Sequence, residues 1–493
     1  MNKFRTAALA LSLSLLALPA AEANTTLKTE ETGRSTSSTI YSQDAEAVIL
    51  TMGRALNIAL DSNFTVLTAE EGVESAKGAK KAASSALNPY FNLSGEANAY
   101  SEVPNTPDNE TLAQVGLSQS LYSGGKNQAL AKQGAIGVKK AEHELQDTRE
   151  SVAQTVWNAY CEVLYRREVL RNTTNALEYY TNAEKELVQR VIYGLSTNLD
   201  LTRVRQQKED ARASNITAGN NLEVSRIELC RLLRMPPETP IVLSGSLEDG
   251  LPTIEEARQL PDDAQAAIER ALERRGDYQA LLRAAESQKK EITIAKSGML
   301  PTITLSSGYR FSYGEQGYSY ATSTNQWTGS LTIDVPLYDG GNTSGNVRTA
   351  KASLKAAEHA AAEKRDTILA ELADNWLNLQ NALETLSAGR VNVQLAEESL
   401  SYAETGYREG VNTQLDVLQA RSELTDALQL LAQYLRDSRE AQASLWKARG
   451  VLLENALKQE NLRDMGEMPI VQTNGAKKSA GASETHVAQK KTK

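Results

Sequence analysis

Apolar residues along this 493-residue chain recur with two distinct periods. The first period is seven. Leu372, Leu379, Leu386, Val393, Leu400 and Tyr407 stand seven apart, as do Val156, Val163, Leu170, Leu177 and Val191 earlier, with Glu184 the one lapse. A sustained heptad keeps one stripe against a neighbouring helix, so both stretches predict coiled-coil helices. Between Lys126 and about Tyr193 only Gly134 and Gly137 interrupt the pattern. At about 1.5 Å per residue such a helix is a rod on the order of 100 Å long, which no globular core can hold. Each rod ends at a glycine, Gly194 or Gly410, and a second helical stretch follows. A left-handed turn at that glycine returns the chain antiparallel, as a hairpin.

The second period is two. Ile303, Leu305, Tyr309 and Phe311 alternate with Thr302, Thr304, Ser306, Gly308 and Arg310. From Trp327 on, Leu331, Ile333, Val335 and Leu337 alternate with Thr328, Ser330, Thr332 and Asp334. Phe91 and Leu93, then Val115, Leu117 and Leu121, repeat this more weakly. The expected strands lie near 88–103, 110–122, 300–313 and 327–338. Segments of about ten alternating residues mark transmembrane β-strands, although one such segment alone fits a half-buried strand in a soluble sheet. Four strands cannot close a barrel, and open edges are not tolerated in lipid, so other copies of the chain must complete it.

The two periods appear twice, in the same order. Leu121-Tyr122-Ser123-Gly124-Gly125 returns as Leu337-Tyr338-Asp339-Gly340-Gly341, and the segment around Gly194 returns around Gly410, both at a spacing of 216 (337 − 121; 410 − 194). Pro89 to Ser94 matches Pro301 to Ser306 at 212 (301 − 89). Residues 45–240 and 263–453 are therefore two structural repeats, with tips near 194–200 and 410–416. Residues 241–262 form a link and short equatorial segment, and 454–493 an equatorial segment with a disordered polar tail.

The N-terminus places this architecture in the cell. Lys3 and Arg5, an apolar run from Ala7 to Leu18, and Ala21-Glu22-Ala23 form a secretory signal peptide, 1–23, followed by a disordered stretch at 24–44. No cysteine follows the cleavage site, and no later apolar run reaches the length of a membrane-spanning helix. A formal charge of −9 and a pI near 5.3 argue against a basic nucleic-acid-binding surface. The three histidines, His143, His359 and His486, have no metal-ligand spacing, and no nucleophile elbow or phosphate loop is present. The expectation is a protein without cofactor or metal, and not an enzyme.

With these features in place the chain resembles the TolC family of outer-membrane efflux and secretion channel-tunnels over roughly Ala45 to Leu453. The most specific match is Tyr407-Arg408-Glu409-Gly410-Val411-Asn412-Thr413-Gln414-Leu415-Asp416-Val417-Leu418, joined by the Leu-Tyr-x-Gly-Gly turn opening each long helix. The resemblance implies a mainly α fold with β: a homotrimer with a twelve-stranded barrel in the outer membrane over a periplasmic tunnel of twelve helices. It implies docking to a periplasmic membrane-fusion adaptor and an inner-membrane ABC or proton-driven transporter, for type I protein secretion or drug efflux. Gly194, Leu195, Gly410 and Val411 become adaptor-contact residues at the tips. Asp416 matches a family aspartate that rings the narrow entrance, although it also fits a solvated cap at a helix start. Gln419 stands where a second acidic residue is common, and Asn412 where a basic residue is expected. Tyr407 and Asp200 match positions that hold closed tips together. A secreted periplasmic coiled-coil scaffold or adaptor would explain the heptads but not the four alternating segments.

The two cysteines are placed by counting alone. Cys161 and Cys230 are equidistant from the first tip, so an antiparallel hairpin brings them to one height. Their counterparts 216 residues on, Leu377 and Trp446, are apolar, so both are expected to face inward. They form either a disulfide across the seam or two separate buried thiols.

Overall fold

The computed structural model describes residues 48–99, 109–258, 264–316 and 320–458. Chain contacts separate Met1–Glu46 from Ala47–Lys493, and the described residues all lie in the second unit. The expected signal peptide, the expected disordered stretch, and most of the tail with His486 lie outside the described residues.

The first repeat runs β1 (Val48–Leu50), α1 (Met52–Ser62), α2 (Phe64–Ser85), β2 (Tyr90–Ala99), β3 (Asn109–Ser123), α3 (Lys126–Ile192) and α4 (Asn198–Leu232). After β4 (Ile241–Leu243) and α5 (Ile254–Arg258) come α6 (Ala264–Arg274), α7 (Gly276–Lys296), β5 (Thr302–Gln316), β6 (Tyr320–Asp334), α8 (Asn342–Arg408) and α9 (Gln414–Ala448). Both rods are 67 residues long and both return helices are 35. Their boundaries repeat at 216 (342 − 126; 414 − 198), so the long hairpins match without a gap. The shorter helices repeat at 212 (264 − 52; 276 − 64), a correspondence that no sequence motif shows.

Heptad positions are where each rod packs on the helices beside it. Leu379, Leu386, Val393 and Leu400 are buried, as are Val156 and Val163. The lapse at Glu184 is an ion-pair site instead, bonded to Arg205 at 2.9 Å and Lys208 at 2.8 Å on the returning α4. The largest core lies midway along the rods, where Trp157 stands edge-on to Trp446 at 5.5 Å and its indole N–H donates to the Arg439 carbonyl at 3.2 Å. The Tyr160 hydroxyl sits between the Leu50 and Ser244 carbonyls, at 3.0 and 2.5 Å. It thereby ties the rod to the short parallel ladder of β1 with β4. Leu452 and Ala456, in a final helical stretch at 452–458, complete this core.

The four long strands form one antiparallel sheet in the order β2-β3-β5-β6, leaving β2 and β6 each with a single partner. Register sorts the faces. Phe91 pairs with Leu117, Leu93 with Val115, Val115 with Tyr309, Tyr309 with Trp327, Leu305 with Leu331, and Ile303 with Ile333. Side chains on a strand alternate, so these residues share one apolar face. The other face carries Asn92, Ser94, Gln114, Ser306, Arg310, Gln326 and Ser330, interrupted by Tyr90 and Leu112. A bulge at Leu121 shifts the register, so that Tyr122 pairs with Ile303 on the apolar side.

The strand limits differ from expectation most at β6, which runs Tyr320–Asp334 rather than 327–338. Proline cannot donate to a ladder, and Pro336 stops the strand before Leu337 and Tyr338, both highly exposed.

Candidate functional site at the hairpin tips

Each rod ends in the same local device. At the first tip the Leu195 N–H donates to the Arg190 carbonyl at 2.8 Å and the Gly194 N–H to that of Val191 at 3.0 Å. At the second, Val411 donates to Gly406 at 2.8 Å and Gly410 to Tyr407 at 3.2 Å. This six-to-one and five-to-two pair satisfies the last helical carbonyls and needs a left-handed residue at its centre. Gly194 has φ 72° and Gly410 φ 77°.

The next helix then starts with a capping box. The Asp200 N–H donates to the Thr197 hydroxyl at 3.1 Å, and the hydroxyl donates to the Asp200 carboxylate at 2.7 Å. The Asp416 N–H likewise donates to the Thr413 hydroxyl at 3.3 Å, and the Thr413 N–H and hydroxyl each reach the Asp416 carboxylate at 2.7 Å. The Asp416 carboxylate thus caps the helix and remains exposed to solvent. The N–H and hydroxyl of Thr413 hold it below its ordinary value, so it is charged at neutral pH. The Thr197 hydroxyl and N–H, with Ser196 and Arg203, do the same for Asp200 against a smaller effect of burial.

Around these turns Ile192, Tyr193, Leu195 and Leu199 are exposed at the first tip, and Val411 and Leu415 at the second. Leu195 and Val411 are 74% and 79% exposed, so the sites expected to contact a partner are apolar and bare. Gln419 is also exposed, and its amide donates to Glu423 at 3.0 Å. Asn412 turns back over Gly406 to the carbonyls of Tyr402 and Ala403, each at 3.5 Å, and braces its own turn.

The two hairpins touch just behind the tips. Leu418 of α9 is buried among Ala176, Tyr180, Leu187, Leu201 and Val204 of the first hairpin. The Arg190 guanidinium lies over the Tyr407 ring at 5.0 Å, the Tyr179 hydroxyl donates to Glu404 at 3.1 Å, and Arg421 stacks on Tyr179 at 4.5 Å. Burial and the Glu404 carboxylate push the Tyr179 phenol up, which keeps it a donor. A cleft of about 330 Å³ opens between the hairpins here, with Asn182, Glu186 and Arg408 among its lining residues.

Tyr407 and Asp200, expected to hold closed tips together, have separate partners within the protomer. Asp200 bonds to Ser196 and Thr197, while Tyr407 faces Arg190. Arg190, Tyr179, Glu404 and Arg421 escape sequence reasoning because no motif or spacing links them. Their only local signal is Arg190 as the basic residue in the last turn of α3.

Cys161 and Cys230 are both fully buried, as expected, but they are free thiols, so the bond offered as one alternative is not made. The argument from their counterparts holds only in part, because Leu377 is exposed in the protomer while Trp446 packs on the core. Among the described residues no group of three or more His, Cys, Asp or Glu is placed to hold a metal, and no helix is long and apolar enough to cross a membrane.

A duplicated coiled-coil body running into a sheet with one mainly apolar face fits a channel protein of the bacterial outer membrane. The chain belongs to the outer membrane efflux protein family, whose model matches residues 55–233 and 267–451. Its sequence is 26% identical over 366 residues to outer membrane protein TolC of Salmonella enteritidis, covering 71% of this chain and 72% of that one. It is also 26% identical over 414 residues to TolC of Vibrio cholerae, covering 81% and 90%. The fold superposes on the crystal structure of outer membrane protein VceC from Vibrio cholerae with a TM-score of 0.68 at 19% identity, covering 81% of this chain and 96% of that one. The protein is an export channel of the outer membrane, in a family serving efflux and type I secretion.

Proposed function

We propose that three copies of this chain close a twelve-stranded barrel and continue as one tunnel. Its tips receive substrate from a periplasmic membrane-fusion adaptor and an inner-membrane ABC or proton-driven transporter. The observation that carries this reading is the sheet, with β2 and β6 unpaired on their outer sides and large apolar and aromatic side chains gathered on one face. In lipid each unpaired backbone group costs several kcal/mol, so a lone sheet has no place there, whereas β6 of one copy laid against β2 of the next leaves no edge. Three copies of four strands give an even-stranded barrel of moderate bore.

At the other end, three Asp416 carboxylates around one axis would form a cation-attracting ring at the entrance, and Gln419 leaves that ring single rather than double. The bare apolar turns at Gly194–Leu195 and Gly410–Val411 suit an adaptor's helical tip. Native mass measurement of the detergent-extracted protein tests the assembly. The expected species is the trimer, and a stable folded monomer as the sole membrane-derived species refutes it.

A further inference from the structure

Arg310 is the only cation in the four long strands, and it stands on the polar face. Its direct partners across both neighbouring strands are glutamines, Gln114 on β3 and Gln326 on β6, and Ser94 continues the row onto β2. The Arg310 Nε and Nη2 both lie 3.4 Å from the Gln114 Oε1. The next row toward the helices contains Gly116 and Gly308, and the Gln114 amide nitrogen fills the space a side chain at Gly308 would take, 3.4 Å from its absent Cβ. Gln114 is thereby laid flat on the sheet with its carbonyl turned to the guanidinium. The arginine is steered by a neutral acceptor, and among the described residues it has no carboxylate partner.

The acidic residues of this face are elsewhere. Glu96 and Glu110 lie one and two rows outward, with Glu96 two strands away and bonded to Asn98, and Asp334 lies four rows toward the helices. Rows are about 7 Å apart and strands about 4.8 Å, so even Glu96 sits at about the distance over which physiological salt screens a charge.

We propose that Arg310 forms an anion-attracting ring in the barrel lumen, a second selectivity station opposite in sign to the carboxylates at the tips. It would draw in polyanionic solutes and acidic stretches of cargo. The proposal rests on the trimeric barrel reading, which turns the polar face inward and places three such arginines at one level. Rings of arginine set anion preference in pores because the guanidinium stays charged at any working pH.

The test uses the purified full-length trimer in planar bilayers, with inositol hexakisphosphate added on the barrel side. Wild type is expected to be blocked, more weakly as salt rises. R310Q is expected to raise the blocking concentration roughly fivefold or more, from the loss of three exposed charge contacts, while R310K keeps most of the block. Q114E places a carboxylate within reach of the arginine and is expected to weaken the block without removing the cation. Equal block in wild type and R310Q, or no block of a conducting wild type, overturns the proposal and leaves the barrel intact. A trimer that forms no conducting pore removes the barrel reading and the ring with it.

Discussion

Replacing Gly410 with alanine isolates what the tip turn costs to build. An added Cβ at Gly410 meets nothing within 4 Å, and the same holds at Gly194, so neither substitution is a packing change. What remains is the backbone. At φ 77° an alanine sits in the left-handed region, which costs an ordinary residue about 1–2 kcal/mol. That energy falls on the bond from the Val411 N–H to the Gly406 carbonyl, which closes only if residue 410 holds this conformation. Opening of the turn should therefore become about 5–30 times more frequent, and hydrogen–deuterium exchange of the tip peptide should accelerate by that factor. Gly194→Ala should give the same acceleration at the first tip, because the two turns share one geometry. Asparagine tolerates the left-handed region, so Gly410→Asn should recover much of the protection. Wild-type exchange in Gly410→Ala, or equal exchange in the alanine and asparagine variants, refutes the argument. Among the described residues the fold already carries this cost once. Arg234, with φ 56°, stands where the second repeat has Gly450, and its guanidinium stacks on Phe64 at 3.9 Å.

Charge and capping at Asp416 should separate. Asp416→Asn is expected to lower cation selectivity and the block by a trivalent cation from the tip side, while Thr413→Ala loosens the helix start and leaves both in place; a larger loss of block in Thr413→Ala refutes the ring. Because the carboxylate titrates below its ordinary value of about 4 in the folded protomer, the cap's contribution should persist as pH falls from neutral. It should be lost as pH passes down through that lowered value. Burial pushes the Cys161 thiol up to about 12 and also raises Cys230, so neither should react with a thiol reagent in the native protein at pH 8. Two thiols per chain should titrate after denaturation without reductant, and none would show that a disulfide forms.

Much of this molecule is legible in one dimension because burial repeats locally. A rod that meets its neighbour along one stripe must show apolar residues every seven positions, and Leu379 to Leu400 do. A strand with lipid on one side must alternate, and β5 does. The glycines at 194 and 410 are legible for the same kind of reason, since only the local backbone decides that a left-handed residue is needed. The lapse at Glu184 looks like a defect in the pattern until α4 is seen to bring Arg205 and Lys208 against it.

The rods, the four alternating segments and the tip turns were thus determined by sequence alone, since each depends on neighbours a few residues away, and the duplication by direct comparison of the two halves. Tertiary structure decided how the repeats meet. The packing of Arg190 on Tyr407 and of Leu418 into the first hairpin joins residues more than 200 positions apart, which no periodicity encodes. It also decided that Cys161 and Cys230 stay free. Equal height is a matter of counting along helices, whereas a bond depends on where each side chain points into the seam. The row Ser94, Gln114, Arg310, Gln326 emerges the same way, because strand register is a long-range choice fixed by the whole sheet's need to turn one face to lipid.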